Sequence, residues 1–180
     1  ENDELPKEMY AKGDDIYYYN TNNQLCRLTV GNHYLTNQLF ARPEVLAQPE
    51  TRIRSMALQA PQGRILLGVQ DYLLSIDLKN NKTDTVSAMN NKYATAFHQT
   101  QNSEDIYIAT LNHGVFVEND KQIQSVAGTQ DKVFISSLLT YGQQHPHLLL
   151  LTNHHLQIQG SDSVRADGCS RMFCINDSVV

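Results

Sequence analysis

A group of short β-type runs returns along this chain at intervals of 49, 41 and 42 residues, counted from Ile16 to Ile65, Ile106 and Leu148. The clearest copy is 103–128, SEDIYIATLNHGVFVENDKQIQSVAG. Its IYIAT run is β-branched and aromatic, a composition that fits a pleated surface. Asn112-His113-Gly114 reads as a tight turn, with Gly114 free to adopt φ > 0. VFV follows as a second strand. After the polar turn ENDK comes QIQSV, which alternates polar with apolar. Such a meander is marginal alone and needs cover on its faces. Further copies supply that cover, at 15–30, 64–86 and 147–164. Upstream of each triplet lies one more apolar run, at 9–11, 55–58, 95–98 and 137–140, so the repeat has four strands. Periods in the forties made only of short strands predict propeller blades. The expected fold is all-β, about four four-stranded antiparallel blades near 8–40, 54–88, 93–128 and 134–167. Residues 171–176 read as the first strand of another unit.

The copy at 106–115, IYIATLNHGV, resembles the repeat of two-component regulator propellers. That repeat places an aromatic, an aliphatic, Gly-Thr, a polar turn, then Gly and an aliphatic. Here Tyr107, Ile108, Ala109, Thr110, Gly114 and Val115 fill those places. The 65–73 copy keeps Gly68, with Leu66 and Val69 at the aromatic and Thr places. The 16–25 copy keeps Tyr17, and the 148–156 copy keeps Thr152. The family usually carries Trp at the aromatic place, and this chain has none. The resemblance implies the periplasmic sensing region of a Bacteroides-type hybrid histidine kinase, often one that senses glycan fragments. It implies no enzymatic activity for this segment, since the kinase would lie elsewhere in the natural chain. It also implies a periplasmic location with a leader peptide removed, which the opening residue Glu1 suits. The alternatives are a propeller scaffold for protein–protein contact and a fragment of a propeller carbohydrate-active enzyme.

Composition narrows the partners. With 180 residues, 41% of them hydrophobic and 18% charged, the chain can bury a core. Its net charge of −5 argues against nucleic acid, which calls for a basic stripe. Arg52, Arg54 and Lys92 are scattered and read as solvated surface. The longest tight apolar run, 148–151, is far short of the roughly 20 residues that span a bilayer. Cys169 and Cys174 are close enough in sequence to bridge a turn, or are small apolar side chains like Cys26. The polar residues 1–7 read as a frayed end. Two Xaa-Pro steps make 41–51 an irregular connector, with at most one helical turn at Glu44-Val45-Leu46-Ala47.

Nucleotide, hydrolase and zinc-protease motifs are absent, and no cofactor is expected. The acid pairs Asp14-Asp15 and Glu104-Asp105 precede strands, where acids commonly serve turns. Histidines cluster at His145, His147, His154 and His155, with His113 one repeat earlier. Strands in a blade alternate direction, so all turns from second to third strand emerge on one face. That face would carry Asn22, Asn23, Asp71, Tyr72, Asn112, His113, His154 and His155. From this rim, Asn112, His113, His154, His155, Asp71 and Tyr72 are the candidate ligand-binding residues. Imidazole, amide and phenol groups suit a metal or sugar hydroxyls, and equally suit water. Four blades form the lower end of the usual range of about 4–8. The chain is therefore expected to be part of a larger propeller. An open array would expose blade faces, which predicts a homodimer with Phe173 and Ile175 near the contact.

Overall fold

The structure, a computed structural model, describes residues 5–30, 43–100, 104–119, 122–130, 132, 134–141, 147–152, 155–159, 163–169, 171–172, 174–175 and 178–179. It is all-β, built of four four-stranded antiparallel sheets in which strands follow chain order. The first sheet holds β1 (Pro6–Lys12), β2 (Asp15–Asn20), β3 (Leu25–Thr29) and β4 (Glu44–Ala47). The second holds β5 (Ile53–Gln59), β6 (Arg64–Val69), β7 (Tyr72–Asp77) and β8 (Thr83–Thr85). The third holds β9 (Ala94–Gln99), β10 (Ile106–Thr110), β11 (Val115–Asn119) and β12 (Gln122–Ser125). The fourth holds β13 (Ser137–Tyr141), β14 (His147–Leu151), β15 (His155–Ile158) and β16 (Ser163–Arg165). A two-stranded ladder of β17 (Cys174–Ile175) and β18 (Ser178–Val179) follows. This is the expected propeller-type repeat array. The chain divides into two compact units, 1–70 with 74–85, and 71–73 with 86–180.

Burial falls from the second strand of each later sheet to the last. Ile65 to Val69 of β6 and Leu148 to Leu151 of β14 are wholly buried, whereas β8 and β16 are exposed throughout. A strand buried on both faces reads in sequence as an unbroken apolar run, and RILLGV and HLLLL do so. In β14 alternate residues enter different clusters. Leu148 and Leu150 pack with Ala109, Val115, Ile135 and Leu138. Leu149 and Leu151 pack with Met172 on the other face.

Several expectations are corrected. Glu44–Ala47 is the outer strand of the first sheet, not a connector with a helical turn. Its partners are Arg27↔Glu44, Cys26↔Val45 and Leu25↔Ala47, and Arg27 also forms an ion pair with Glu44. Pro43 stands just ahead of it, where a missing N–H breaks no ladder. Pro49 biases Gln48 away from helical backbone, which leaves no room for a turn of helix. The first sheet thus ends beyond residue 40, and residues 33–40 lie outside the described residues. At the start, Pro6 and Lys7 are already in β1 rather than frayed. At the other end, within the stretch read as the first strand of another unit, two described residues do have a following partner strand. Cys174 and Ile175 pair with Val179 and Ser178, while Met172 covers the fourth sheet. Cys169 is a free, exposed thiol next to the positive-φ turn residue Gly168, and Cys26 is buried. Phe173 lies outside the described residues.

In the second unit the first strands of adjacent sheets are joined through one imidazole. The Thr140 N–H donates to His98 Nε2 at 3.1 Å, and Thr140 Oγ1 lies 2.9 Å from the same nitrogen. A nitrogen that accepts an amide N–H carries no proton, so the neutral ring holds its proton on Nδ1. Burial lowers the pKa of His98 below its ordinary value, because the charged form loses hydration. The unfolded chain therefore binds this proton more readily than the folded one. The contribution is complete above the unfolded pKa of about 6.5 and is lost as pH falls from there toward the folded value. Wild type should lose more stability than His98→Gln between about pH 7.5 and pH 5 in urea titrations. Parallel pH profiles for the two proteins would rule this out.

Candidate functional site

The turns from second to third strand were the expected rim, and three of them are closed by the same device. Thr110 Oγ1 donates to the Gly114 carbonyl at 2.7 Å and accepts the His113 N–H at 3.0 Å. Thr152 Oγ1 donates to the His155 carbonyl at 3.2 Å. In the first sheet Asn20 occupies the equivalent place. Its N–H donates to the Gln24 carbonyl at 3.1 Å, and its Oδ1 accepts the Gln24 N–H at 3.0 Å. A side-chain oxygen one residue before the turn thus ties off the backbone, as Asx and Ser/Thr turns do. Thr110 and Asn20 are both buried.

These turns hold the candidate rim residues as exposed tips. Asn112, His113 and Asp71 are exposed, His155 opens β15 exposed, and Tyr72 opens β7 half-buried. His154 lies outside the described residues, as does His145. Among the described residues no hydrogen bond or ion pair joins any two of Asp71, Tyr72, Asn112, His113 and His155 through their side chains. Among the same residues, no group of three or more His, Cys, Asp or Glu could hold a metal ion.

The first unit also builds a cleft, of about 430 Å³, at the turn end of its first sheet. Lys7, Asn20, Thr21, Asn23, Glu50, Arg52 and Ile53 line it. Asn23 organises it from a left-handed backbone, with φ of 65°. Its Nδ2 donates to the carbonyls of Pro49 and Thr51, both at 2.7 Å. Its Oδ1 accepts the Ile53 N–H at 2.6 Å. One amide thereby fixes the connector between the first two sheets against the β2–β3 turn. The Thr21 N–H donates to the Leu5 carbonyl at 3.2 Å, which ties the same turn to the start of the chain. Asn20 spends its amide on Gln24, with Nδ2 to Oε1 at 3.1 Å.

Two other clefts differ in kind. One of about 440 Å³ lies near Lys12, Asp15, Tyr17, Arg27, Gly63 and Asp77. Several of its polar groups are engaged, while the Lys79 ammonium, which also lines it, has no partner among the described residues. Lys12 donates to the Ala60 carbonyl, Tyr17 to Asp15, and Arg27 to Glu44. Burial, then the charge on Asp15, raises the Tyr17 pKa, and Glu44 raises that of Arg27. The other, of about 470 Å³, is lined by Asp105, Tyr107, Val117, Asn119, Gln122 and Gln124 of the third sheet. Burial, followed by the charge on Asp105, raises the Tyr107 pKa.

Sequence reading found Asn23 as a rim residue but missed Lys7, Glu50 and Arg52, which it placed in a frayed end, an irregular connector and solvated surface respectively. A signal was present. Alternating strand directions put the connector entering a first strand at the same end as the preceding β2–β3 turn, and Glu50 and Arg52 lie in that connector.

No protein-family model matches the chain, and no curated protein matches it. Solved structures share its fold. The extracellular domain of a B. thetaiotaomicron protein, described as a one-component system, aligns over 86% of this chain with TM-score 0.62 and 16% identity. A second structure of that domain, described as a hybrid two-component system, aligns over 89% with TM-score 0.60 and 15% identity. PorZ, a surface component of the type-IX secretion system of Porphyromonas gingivalis, aligns over 86% with TM-score 0.60 and 12% identity. The chain spans about a fifth of each of those chains, covering 21%, 22% and 20% of their lengths. Among the described residues, no helix is long and apolar enough to cross a membrane.

Proposed function

We propose that this chain is a non-catalytic, extracytoplasmic sensing segment of a two-component signalling protein, within a longer propeller. The observation that carries the proposal is the shared fold with the B. thetaiotaomicron extracellular domain, over 86% of this chain. The ligand in this reading is a glycan fragment met by the turn tips, through Asp71, Tyr72, Asn112, His113, His154 and His155. The resemblance at Tyr107–Thr110 and Gly114 supports it, because Thr110 and Gly114 bond to each other in the turn that presents His113. Removing the segment from its parent protein should abolish a transcriptional response to the cognate glycan. His113→Ala with His154→Ala should weaken binding by about tenfold in calorimetry while the far-UV CD spectrum stays unchanged. Unchanged affinity in that double variant would return the histidines to solvated turn residues.

Self-association forms part of the same proposal. Met9, Tyr18, Cys26 and Val45 stand opposite one another across the four strands of the first sheet. Met9 and Val45, on the two outer strands, are exposed while Cys26 between them is buried, and a second copy would cover these exposed apolar side chains. Light scattering over a dilution series should give a dimer mass that Met9→Asp with Phe173→Asp reduces. A monomer mass at every concentration would exclude association.

A further inference from the structure

The cleft at Asn23 combines a frame of hydrogen-bonded amides with charges that have no partner among the described residues. Lys7 comes from β1, Thr21 from the β2–β3 turn, and Glu50 and Arg52 from the connector. Among the described residues their side chains make no hydrogen bond or ion pair, whereas the amides of Asn20 and Asn23 are fully committed within the protein. The two kinds of residue divide the work. The amides fix the backbone, and the four free side chains are left facing the opening. Ile53, which is 2% exposed, supplies an apolar floor. Two cations against one carboxylate leave the cleft locally positive in a chain of net charge −5. A volume near 430 Å³ lies within the range of small-molecule sites, about 300–1,000 Å³.

We propose that this cleft binds a small hydroxylated carboxylate. Lys7 and Arg52 pair with the ligand carboxylate, Arg52 offering the planar fork that matches its two oxygens. Glu50 accepts from ligand hydroxyls, and Thr21 contributes a hydroxyl that donates or accepts. A neutral polyol of the same size would leave both cations unpaired. A compact anion such as inorganic phosphate would set its charge against Glu50 with few hydroxyls to donate to it. The site is separate from the histidine tips, and its recognition does not depend on the sensing role.

The test uses the whole chain and four probes in calorimetry: D-glucuronate, D-gluconate, D-glucose and inorganic phosphate. The two carboxylates should bind, glucose should not, and phosphate should be weaker than both by about tenfold. Preference for glucuronate would identify a ring-form sugar acid, and preference for gluconate an open-chain hydroxy acid. Arg52→Gln and Lys7→Met should each weaken carboxylate binding by about tenfold, and Glu50→Gln should narrow the gap to phosphate. Higher salt should weaken binding in wild type more than in either cation variant. Equal binding of glucose, equal binding of phosphate, no binding of either carboxylate, or full affinity in both cation variants would overturn the proposal. Carboxylate binding without a signalling response would count against the sensing role alone. A response to neutral glycans with no carboxylate binding would count against this site alone.

Discussion

Gly114→Val is expected to destabilise the protein by about 3 kcal/mol or more, from two costs that add. Gly114 holds φ of 71° in the β10–β11 turn, a left-handed conformation that costs an L-residue about 1–2 kcal/mol. The second cost is steric. A Cβ on Gly114 would fall on the carbonyl oxygen of Thr129, 2.5 Å from its carbonyl carbon and 2.9 Å from its Oγ1. Backbone cannot swing aside as a side-chain tip can. Thr129 is itself fixed, since its Oγ1 accepts the Val115 N–H at 2.9 Å and donates to the Val126 carbonyl at 2.8 Å. The added carbon therefore strains the lock that starts β11. Gly13 isolates the two costs. It has φ of 60°, yet a Cβ there meets nothing within 4 Å. Gly13→Ala should cost about 1 kcal/mol, and Gly114→Ala about 2–4 kcal/mol. Equal urea midpoints for the two alanine variants would show that Thr129 does not crowd the glycine.

That glycine was legible in sequence because its requirement is local. A run of IYIAT, a polar turn and VFV leaves one place for φ > 0, and Gly114 stands there. The strands of the third sheet were legible for the same reason, and so were the buried runs of β6 and β14. Tyr17 and Tyr19 share one face of β2, and both are buried while Tyr18 is less so. The strand β4 was not legible. EVLA carries too few residues to show a period, and its place depends on the free edge of β3 and on Glu44 meeting Arg27 across it. The partner there is remote in sequence, so no local pattern could name it. The same limit hid the cleft. Lys7, Glu50 and Arg52 look like ordinary surface charges until the Asn23 amide brings the connector to the turn. The missing Gly-Thr pair in the first repeat has a physical answer as well. Asn20 closes that turn with its own Oδ1, so Thr is replaced in role although not in identity.

Asn23→Ala is expected to cost about 2–4 kcal/mol, a large effect for one partly exposed residue. The amide saturates two carbonyls and one N–H of the connector, at 2.7, 2.7 and 2.6 Å. Alanine leaves those three backbone groups without a protein partner, and it must also sit at φ of 65°, where Asn is tolerated better. Asn23→Gly separates the two effects, since glycine accepts the backbone angle but has no amide. If the hydrogen bonds dominate, glycine should recover only the backbone part, about 1 kcal/mol of the loss. Asn23→Asp adds a finer distinction. Its carboxylate still accepts from the Ile53 N–H but turns a second oxygen toward the Pro49 and Thr51 carbonyls, where nothing can donate. Aspartate should therefore be no better than glycine, despite matching asparagine in shape. Amide hydrogen exchange gives a local readout that stability alone does not. The Ile53 N–H should lose protection in the alanine and glycine variants and keep more of it in the aspartate variant. Full recovery by glycine, with Ile53 protection intact, would mean that the left-handed backbone and not the amide holds this connector in place.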